Sequence, residues 1–331
     1  MSFRGKSAEQ QKRYFSSKNK INVSSSDINR KKSINPNWIT GIIDAEGSFY
    51  VSICKSDKSK LGWTVQVYFS IVAQINPANI IMLEQFNSFF DNIGKINKTN
   101  NTYKLVINGY QNCSKVRDHL ESYPLFTYKL VHFLTWCKNL DLIKNKAHLT
   151  QEGLFEIVQL KAFFPKSLNP LLVKSFPKID QNNLKFKLPE YEPNLSLMDL
   201  HWLTGFINGD GSFAPGLKEK SLSPQVRIGQ DEISLVVLNQ IKILLGMGEV
   251  YSNGPNLKTY VYVLSGLTNL NKFNDLLSSA SCRFYGTKYL DYNDWCKIIS
   301  IINEKKHLNP EGYTEIKTIV LGMNSRRFTF E

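Results

Sequence analysis

The chain has 331 residues, of which 42% are hydrophobic, so it can form two domains of ordinary size or one large domain with a buried core. Its formal net charge of +13 favours a polyanionic partner, most simply nucleic acid, although a solvated basic surface is the alternative. The five cysteines include no CxxC pair and no apolar run reaches 18 residues, which argues against structural zinc, a disulfide framework and a transmembrane helix.

The N-terminal segment, residues 1–33, is rich in serine and basic residues and has little apolar periodicity. We predict that it is a flexible basic tail. Its composition is loosely similar to that of a mitochondrial transit peptide, although Glu9 and Asp27 weaken that comparison.

Two short helices are predicted from their capping residues. Asn35 can cap the first helix, and Ser196 can cap the second, with Asp199 as the acid of a capping box. Gly47 and Gly211 fit the left-handed position that often follows a helix end.

The elements that follow the first helix alternate in pattern between strand and helix. Strands are predicted in SFYVSICK and GWTVQVYFSIVAQI, a helix in ANIIMLEQFNSFFDNIG, a hairpin strand in TYKLVINGY, and further helices through LVHFLTWCKNLDLI. The second half repeats this order. The pattern predicts an α+β fold in which helices pack on one face of an antiparallel sheet.

A duplication divides the chain into two repeats. The segment WCKNLDLIKNKAHLTQEGLFEI, beginning at Trp136, matches WCKIISIINEKKHLNPEGYTEI, beginning at Trp295, at 11 of 22 positions. We predict repeats over residues 34–175 and 196–331, joined by a polar, proline-bearing linker over residues 176–195.

Small residues form a matching stripe on each of the two short helices. Gly41 and Ala45 are four residues apart in the first helix, and so are Gly205 and Gly209 in the second. Such stripes let two helix backbones approach closely. Each stripe could pack on its own sheet, but two copies favour an interface between the helices about a pseudo-two-fold axis.

That interface would bring two carboxylates together. Glu46 and Asp210 hold the same position at the ends of the two helices, where the helix dipole is already negative. Two like charges there repel each other, and a divalent cation would relieve the repulsion. An all-oxygen site suits Mg²⁺. Either acid alone would be an ordinary surface residue, but the matched pair favours a metal site.

The repeated motifs resemble a known family. ITGIIDAEG, residues 39–47, and LTGFINGDG, residues 203–211, resemble the two motifs of a single-chain LAGLIDADG homing endonuclease. The paired WCK…KHL…EG segments and the closing IKTIVLGMN resemble the fungal mitochondrial, intron-encoded members. The resemblance covers about residues 34 to 331.

The resemblance implies a fold and an activity. The fold would be two pseudo-symmetric repeats, each an antiparallel sheet saddle backed by helices, joined at a two-helix interface. The activity would be that of a monomeric, Mg²⁺-dependent mitochondrial DNA endonuclease, which makes a double-strand break in a long, non-palindromic duplex and so supports intron homing.

The resemblance also implies roles for motif residues. Glu46 and Asp210 occupy the eighth motif position and would be the catalytic, metal-binding acids, with Ala45 and Gly209 beside them in the metal site. At the sixth position Asn208 replaces the usual aspartate, which its first-half counterpart, Asp44, retains. We expect a structural role at the helix end for the sixth position.

Two lysines match the basic residues that the family places near each active centre. Lys129 in LFTYKL and Lys288 in FYGTKYL are 159 residues apart, the same offset as the repeated segments. A lysine there would stabilise the charge that builds on the phosphate during hydrolysis. The alternative is that both are ordinary lysines of a basic surface.

Each sheet is expected to face the major groove of DNA, which a two-stranded ribbon can enter. Strand alternation selects the side chains that would point toward the duplex: Ser48, Tyr50, Ser52, Cys54, Gln66, Tyr68, Ser70, Ser212, Ala214, Lys218, Gln225 and Arg227. Pro215 interrupts the second set and leaves its register open. The two sets differ in nearly every residue, which predicts a non-palindromic target.

Two alternatives to DNA cleavage remain at the level of sequence. One is a maturase that binds intron RNA and assists the splicing of a group I intron, alone or in addition to cleavage. The other is a DNA-binding protein that has lost catalysis. Acids retained in both motifs favour cleavage over binding alone.

Overall fold

The computed structural model describes residues 34–163, 168–179, 188–218, 221–254, 257–324 and 327. The predicted N-terminal tail and residues 180–187 of the predicted linker lie outside the described residues, so the boundaries between the repeats stay predictions. Within the described residues, no helix is both long and apolar enough to cross a membrane.

The first half contains a four-stranded antiparallel sheet in the order β1-β2-β4-β3. Its elements are α1 (Pro36–Glu46), β1 (Gly47–Lys55), β2 (Trp63–Gln74), α2 (Pro77–Phe89), β3 (Lys95–Lys98), β4 (Thr102–Asn108), α3 (Tyr110–Ser122), α4 (Lys129–Lys144), a 3₁₀ turn (Ala147–Leu149), α5 (Gln151–Ala162) and α6 (Pro170–Ser175).

The second half repeats this architecture with the sheet order β5-β8-β10-β9. Its elements are a 3₁₀ turn (Leu195–Leu197), α7 (Leu200–Asp210), β5 (Gly211–Ala214), a short ribbon of β6 (Leu217–Lys218) and β7 (Ser221–Leu222), β8 (Gln225–Asp231), a 3₁₀ turn (Glu232–Ser234), α8 (Leu235–Leu245), β9 (Glu249–Ser252), β10 (Thr259–Ser265), α9 (Leu267–Ser279), α10 (Gly286–Asn303), a 3₁₀ turn (Lys306–Leu308) and α11 (Pro310–Leu321). The predicted α+β fold with two pseudo-symmetric repeats is confirmed.

Alternation along the strands separates a core face from an open face in each sheet. In β1 and β2, Val51, Ile53 and Phe69 are buried in the first core. Phe49 packs on Phe133 of α4, with ring centroids 5.5 Å apart. The helices therefore cover one face of the sheet, and the polar residues between these positions lie on the other face.

The caps of the two short helices differ from one another. Asn35 caps α1 as predicted, since its Oδ1 accepts a hydrogen bond from the backbone N–H of Asn37 at 2.8 Å. The prediction that Ser196 caps α7 was wrong. Ser196 belongs to a separate 3₁₀ turn, and Asp199 is the cap, accepting from Trp202 N–H at 2.7 Å.

The glycines that follow the short helices were also predicted wrongly. Gly47 has φ −68° and Gly211 has φ −88°, so both are extended rather than left-handed, because each is the first residue of a strand. Glycine is needed at both positions because there is no space for a Cβ atom. A Cβ on Gly47 would lie 2.6 Å from the carbonyl oxygen of Ile43, and one on Gly211 would lie 2.6 Å from Cγ2 of Ile207.

The predicted interface between the two short helices is present, and α1 and α7 contact each other more extensively than any other two described elements. A Cβ on Gly41 would overlap the carbonyl oxygen of Trp202, and a Cβ on Gly205 would overlap that of Trp38. The two backbones therefore touch directly at these glycines, about a pseudo-two-fold axis.

The two hydrophobic cores exchange an aromatic residue across this interface. Phe126 of the first half belongs to the second core, where its ring lies 5.0 Å from that of Trp202. Tyr285 of the second half packs against the first core, with its ring 4.6 Å from that of Trp38. Each half therefore completes part of the packing of the other.

We predict that Gly41→Ala destabilises the protein by at least ~3 kcal/mol, the upper end of the usual cost of overpacking, because no flexible side chain can move aside for the new methyl group. Thermal unfolding monitored by circular dichroism measures this. The matched control is Gly322→Ala, where φ is −99° and the nearest atom to a new Cβ is 3.6 Å away. A Gly41→Ala variant as stable as this control would contradict the close approach.

Candidate functional site

The two helix ends bring the predicted acids to one place. Glu46 is the last residue of α1 and Asp210 is the last residue of α7. A Cβ on Gly209 would lie only 2.9 Å from Cγ and 3.3 Å from Oε1 of Glu46, and would overlap Cβ of Ala45. The carboxylate of the first half therefore rests against the last turn of the opposite helix. Only a glycine at position 209 leaves room for it.

The surroundings of the two carboxylates raise their pKa values. Both side chains reach solvent, but the protein packed around them reduces their hydration. This raises the pKa of Glu46, against the opposing charges of Lys129 and Lys288. Burial raises the pKa of Asp210 to about 6; Lys129 opposes this shift and the charge of Glu46 adds to it. The pair therefore sits where added positive charge would be stabilising.

Both predicted lysines lie beside the helix ends. Nζ of Lys129 donates to the carbonyl oxygens of Ala45 at 2.8 Å and of Ile43 at 3.1 Å. Nζ of Lys288 donates to the carbonyl oxygen of Gly211. Burial lowers the pKa of both lysines, and the neighbouring carboxylates oppose that shift. The structure thus brings all four predicted catalytic side chains into one cluster.

Sequence reasoning missed Gln230, which donates from Nε2 to Oδ2 of Asp210 at 2.7 Å. Gln230 has the same alternation parity as the buried Ile228, so a strict pattern assigns it to the core face. It lies beyond the core at the end of β8 and reaches the helix end instead. The strand registers place Ala73 at the equivalent position of the first half, so Glu46 lacks this kind of neighbour.

The sixth motif position has the structural role that was expected. Asp44 is buried, and its carboxylate accepts four hydrogen bonds: from Phe126 N–H at 2.7 Å, Thr127 N–H at 3.1 Å, the Thr127 hydroxyl at 2.6 Å and Trp202 Nε1 at 3.1 Å. Burial raises the pKa of Asp44 and these hydrogen bonds oppose the rise. The side chain ties α1 to the segment that precedes Lys129.

Asn208 performs part of the same task in the second half. Its Oδ1 accepts from Tyr285 N–H at 2.8 Å, the counterpart of the bond from Phe126 to Asp44. An amide has only one acceptor oxygen, and its Nδ2 lies 3.4 Å from Sδ of Met82. The buried Nε1 of Trp38, the counterpart of Trp202, consequently has no hydrogen-bond partner among the described residues.

The donor set at the helix ends suits a hard divalent cation. It consists of two carboxylates beside the carbonyl oxygen of Ala45, which also accepts from Lys129. No group of three or more histidine, cysteine or acidic residues suited to a metal occurs in the described part of the chain. A set this small matches Mg²⁺, which is commonly held by one or two carboxylates together with substrate phosphates and water. The metal-binding role expected of Ala45 and Gly209 stays a prediction.

The open face of the first sheet carries most of the polar residues predicted for it. Tyr50 and Tyr68 pair across β1 and β2, with their rings stacked 4.8 Å apart. Lys104 of β4, which the alternation argument did not select, lies over both rings with Nζ 5.2 and 5.7 Å from their centroids. Ser52 pairs with Gln66 on the same face.

One predicted member of this face was wrong. Ser70 pairs with Ser48 in the expected register but is only 1% exposed, so it offers no surface to a duplex. Cys54, by contrast, is exposed. Position within the saddle decides this difference: Ser70 lies near the crowded helix ends, whereas Cys54 lies at the outer end of the strand.

The second sheet shows a shorter open face. β5 ends at Ala214, so Pro215 follows the strand instead of distorting it. Ala214 pairs with Gln225, and Ser212 pairs with Arg227, whose Nη1 donates to Oε1 of Gln225 at 3.2 Å. The predicted alternation therefore holds for these four residues. The side chain of Lys218 lies outside the described part of the chain.

Comparison with known proteins gives matches along most of the chain. The family model for the LAGLIDADG endonuclease matches residues 39–140 and 203–299. A Neurospora crassa protein named probable intron-encoded endonuclease 3 is 28% identical over 311 residues, which cover 89% of this chain and 55% of that protein. Probable intron-encoded endonuclease 2 of the same organism is 28% identical, with coverage of 86% and 64%. The chain thus spans little more than half of these relatives.

Solved structures match over nearly the whole length of their chains. The I-SmaMI LAGLIDADG homing endonuclease bound to cleaved DNA is 33% identical with a TM-score of 0.79, covering 89% of this chain and 98% of that chain. I-GzeII in complex with its DNA target is 28% identical with a TM-score of 0.79, covering 89% and 100%. I-SmaMI bound to uncleaved DNA in the presence of calcium ions matches with a TM-score of 0.78.

We predict a pH-dependent gain in stability for Asp210→Asn in metal-free buffer. Because folding raises the pKa of Asp210 from 3.8 to about 6, the folded wild type binds this proton more tightly, and its unfolding free energy falls as pH rises through that window. The Asn variant lacks this loss. Its Tm relative to wild type should therefore increase between about pH 4 and pH 6 and stay higher at pH 7.

The same melting experiment contains its own test of cation binding. Mg²⁺ or Ca²⁺ should raise the Tm of the wild type at pH 7 and have much less effect on the Asn variant, which has lost a ligand charge. A Tm difference that does not change with pH, together with equal responses to the cations, would contradict the electrostatic account of the pair.

Proposed function

Because the chain belongs to the LAGLIDADG endonuclease family, we propose that it is a site-specific DNA endonuclease that makes a double-strand break with the help of Mg²⁺. The observation that carries this proposal is the pair of carboxylates, Glu46 and Asp210, at two helix ends held in contact between two open sheet faces. The DNA-bound structures that match the chain support double-stranded DNA as the substrate.

The two sheets would hold the duplex on either side of the helix ends. Each open face carries polar side chains on paired antiparallel strands, and the major groove admits a two-stranded ribbon. The first face offers the Tyr50–Tyr68 stack with Lys104, and the second offers Arg227 fixed by Gln225. Because the two faces differ, each half reads a different half-site, and the target is non-palindromic.

The chemistry would take place where the two helices end. Bound Mg²⁺ supplies charge neutralisation at the scissile phosphates and a water nucleophile of lowered pKa. Glu46 and Asp210 would hold the cations, and Gln230 holds the Asp210 carboxylate in one orientation. With a pKa of about 6, Asp210 is mostly ionised at neutral pH and available as a ligand. Lys129 and Lys288 stabilise the negative charge that develops on the phosphate oxygens.

The biological role we propose is intron homing in the mitochondrion by a monomer. Each half supplies one of the two acids, so a single chain completes the site without a second copy. Several relatives are named for introns, among them a Podospora anserina protein in ND4 intron 1, 31% identical over 119 residues, and a Schizosaccharomyces pombe cox1 intron-2 protein, 27% identical over 130 residues. These names support an intron as the coding context.

We predict that Glu46→Gln and Asp210→Asn each abolish double-strand cleavage, at least ~10³-fold, while DNA affinity stays within about threefold of wild type, since neither acid is needed to hold the sheets on the groove. An increase in DNA affinity agrees with this prediction, because each variant removes a negative charge near phosphate. The assay is cleavage of a duplex selected from a random library by the wild type, run beside a binding titration.

The matched control for this pair of variants is Glu249→Gln, which removes a carboxylate of β9 that is paired with Lys242 at 2.7 Å, away from the helix ends. It should cut at the wild-type rate. If either acid variant still cuts both strands normally, these residues are not the catalytic acids. A wild type that binds and does not cut, yet promotes splicing of a purified precursor RNA, would favour the maturase alternative.

We also predict that DNA affinity depends steeply on salt because the net charge of +13 must meet phosphates. The association constant should fall by about 10³ or more between roughly 50 and 200 mM monovalent salt, corresponding to six or more neutralised phosphates. Fluorescence anisotropy in the presence of Ca²⁺ measures this. A nearly flat response would contradict an electrostatic mode of binding.

A further inference from the structure

Each active-site lysine follows a segment that is held from both halves of the molecule. The first lysine segment, residues 123–129, runs from α3 into α4 and ends at Lys129. The second lysine segment, residues 282–288, runs from α9 into α10 and ends at Lys288. The middle of each segment, at Phe126 and at Tyr285, is tied to the short helix of its own half, by Asp44 in the first case and Asn208 in the second. The residue just before each lysine is held instead by a side chain of the opposite half.

In the second lysine segment that residue is held by a side chain of the first half. Asn79, buried in the first turn of α2, accepts from Thr287 N–H at 2.9 Å and from the Thr287 hydroxyl at 3.2 Å. Its Nδ2 donates to the carbonyl oxygen of Gln74 at 3.0 Å, which fixes the orientation of the amide. Gly286 has φ +61°, and a Cβ there would lie 2.5 Å from Oδ1 of Asn79. The segment therefore needs glycine to come this close.

The first lysine segment is held in the reverse direction. Ser234, which is 3% exposed and immediately precedes α8, accepts from Tyr128 N–H at 3.1 Å. The hydroxyl of Tyr191 donates to the carbonyl oxygen of Phe126 in the same segment at 2.7 Å. Because α2 and α8 are equivalent helices in the two repeats, Ser234 and Asn79 are pseudo-symmetric partners with different side chains.

We propose that Asn79 and Ser234 are positioning residues, each of which sets the place of the lysine in the opposite half. The proposal rests on the proposed function, in which those lysines stabilise charge on the cleaved phosphates. Loss of either contact removes the tie at the residue just before the lysine and leaves the lysine dependent on the middle of its segment and on its own hydrogen bonds to the helix end. A displacement of about 1 Å at a reacting group can cost ~10²-fold in rate. Each half thereby controls a catalytic group of the other.

The test is a set of double-mutant cycles in single-turnover cleavage of the selected duplex. Asn79→Ala should slow cleavage about tenfold in the wild type and in Lys129→Met, but less than about twofold in Lys288→Met, because the positioned group is then already absent. Ser234→Ala should slow cleavage about tenfold in the wild type and in Lys288→Met, but less than about twofold in Lys129→Met. Asn79→Asp retains an acceptor oxygen for Thr287 but loses the donor to the Gln74 carbonyl oxygen, so it should recover only part of the rate in the otherwise wild-type protein.

A matched control comes from the same helix. Asn87 of α2 also holds backbone through its amide, bonding Gly94 at 2.8 and 3.1 Å, but away from the lysines. Asn87→Ala should lower Tm and should have the same effect on the cleavage rate in the wild type, in Lys129→Met and in Lys288→Met. A general structural role for Asn79 would instead slow all three backgrounds equally, and that result would overturn the proposal.

Amide hydrogen exchange followed by mass spectrometry tests the physical part without any activity. Asn79→Ala should speed exchange in residues 282–288, and Ser234→Ala should speed it in residues 123–129, each in the half that does not carry the substitution. Unchanged exchange in the opposite half would also overturn the proposal. A wild type that never cuts DNA, with the exchange pattern as expected, would instead count against the proposed function.

Discussion

The rest of the structure depends on the direct contact of two helix backbones at Gly41 and Gly205. No side chain separates α1 from α7 at this point, so the two helices end side by side and the two sheets diverge from a common base. This backbone contact sets the geometry of the site at the helix ends. The distance between the acids, the room for the Glu46 carboxylate beside Gly209 and the angle between the open faces all follow from how closely the backbones approach.

This arrangement carries an electrostatic cost that the proposed function would explain. Two carboxylates lie at two negative helix ends, and burial raises the pKa of both. Stability alone would favour neutral residues at those positions. The lysines partly offset the charge, but each also donates to backbone carbonyls at the helix ends. Cations and phosphates would offset this charge, in agreement with the phosphodiester cleavage that we propose.

The duplication made much of this predictable from the sequence. Glycines, acids and lysines that recur at fixed offsets can meet only about a shared axis, so the fold, the helix interface and the cluster of Glu46, Asp210, Lys129 and Lys288 followed from the repeat and from the family that its motifs resemble. Details that depend on how the elements pack against one another could not be predicted from the sequence. Gln230 has core parity and Ser70 has surface parity, yet the first reaches the site and the second is buried. Contacts across the halves, such as Asn79 to Thr287, leave no periodic signal.

In the proposed reaction, one chain cuts both strands of one duplex at the place where its two helices end. Selection from a random duplex library followed by mapping of the cut on each strand tests it most directly. We expect one asymmetric target with both cuts close together between two different half-sites, made only when Mg²⁺ is present. A palindromic target, cuts far outside the bound site, or cleavage that continues in a chelator would contradict it.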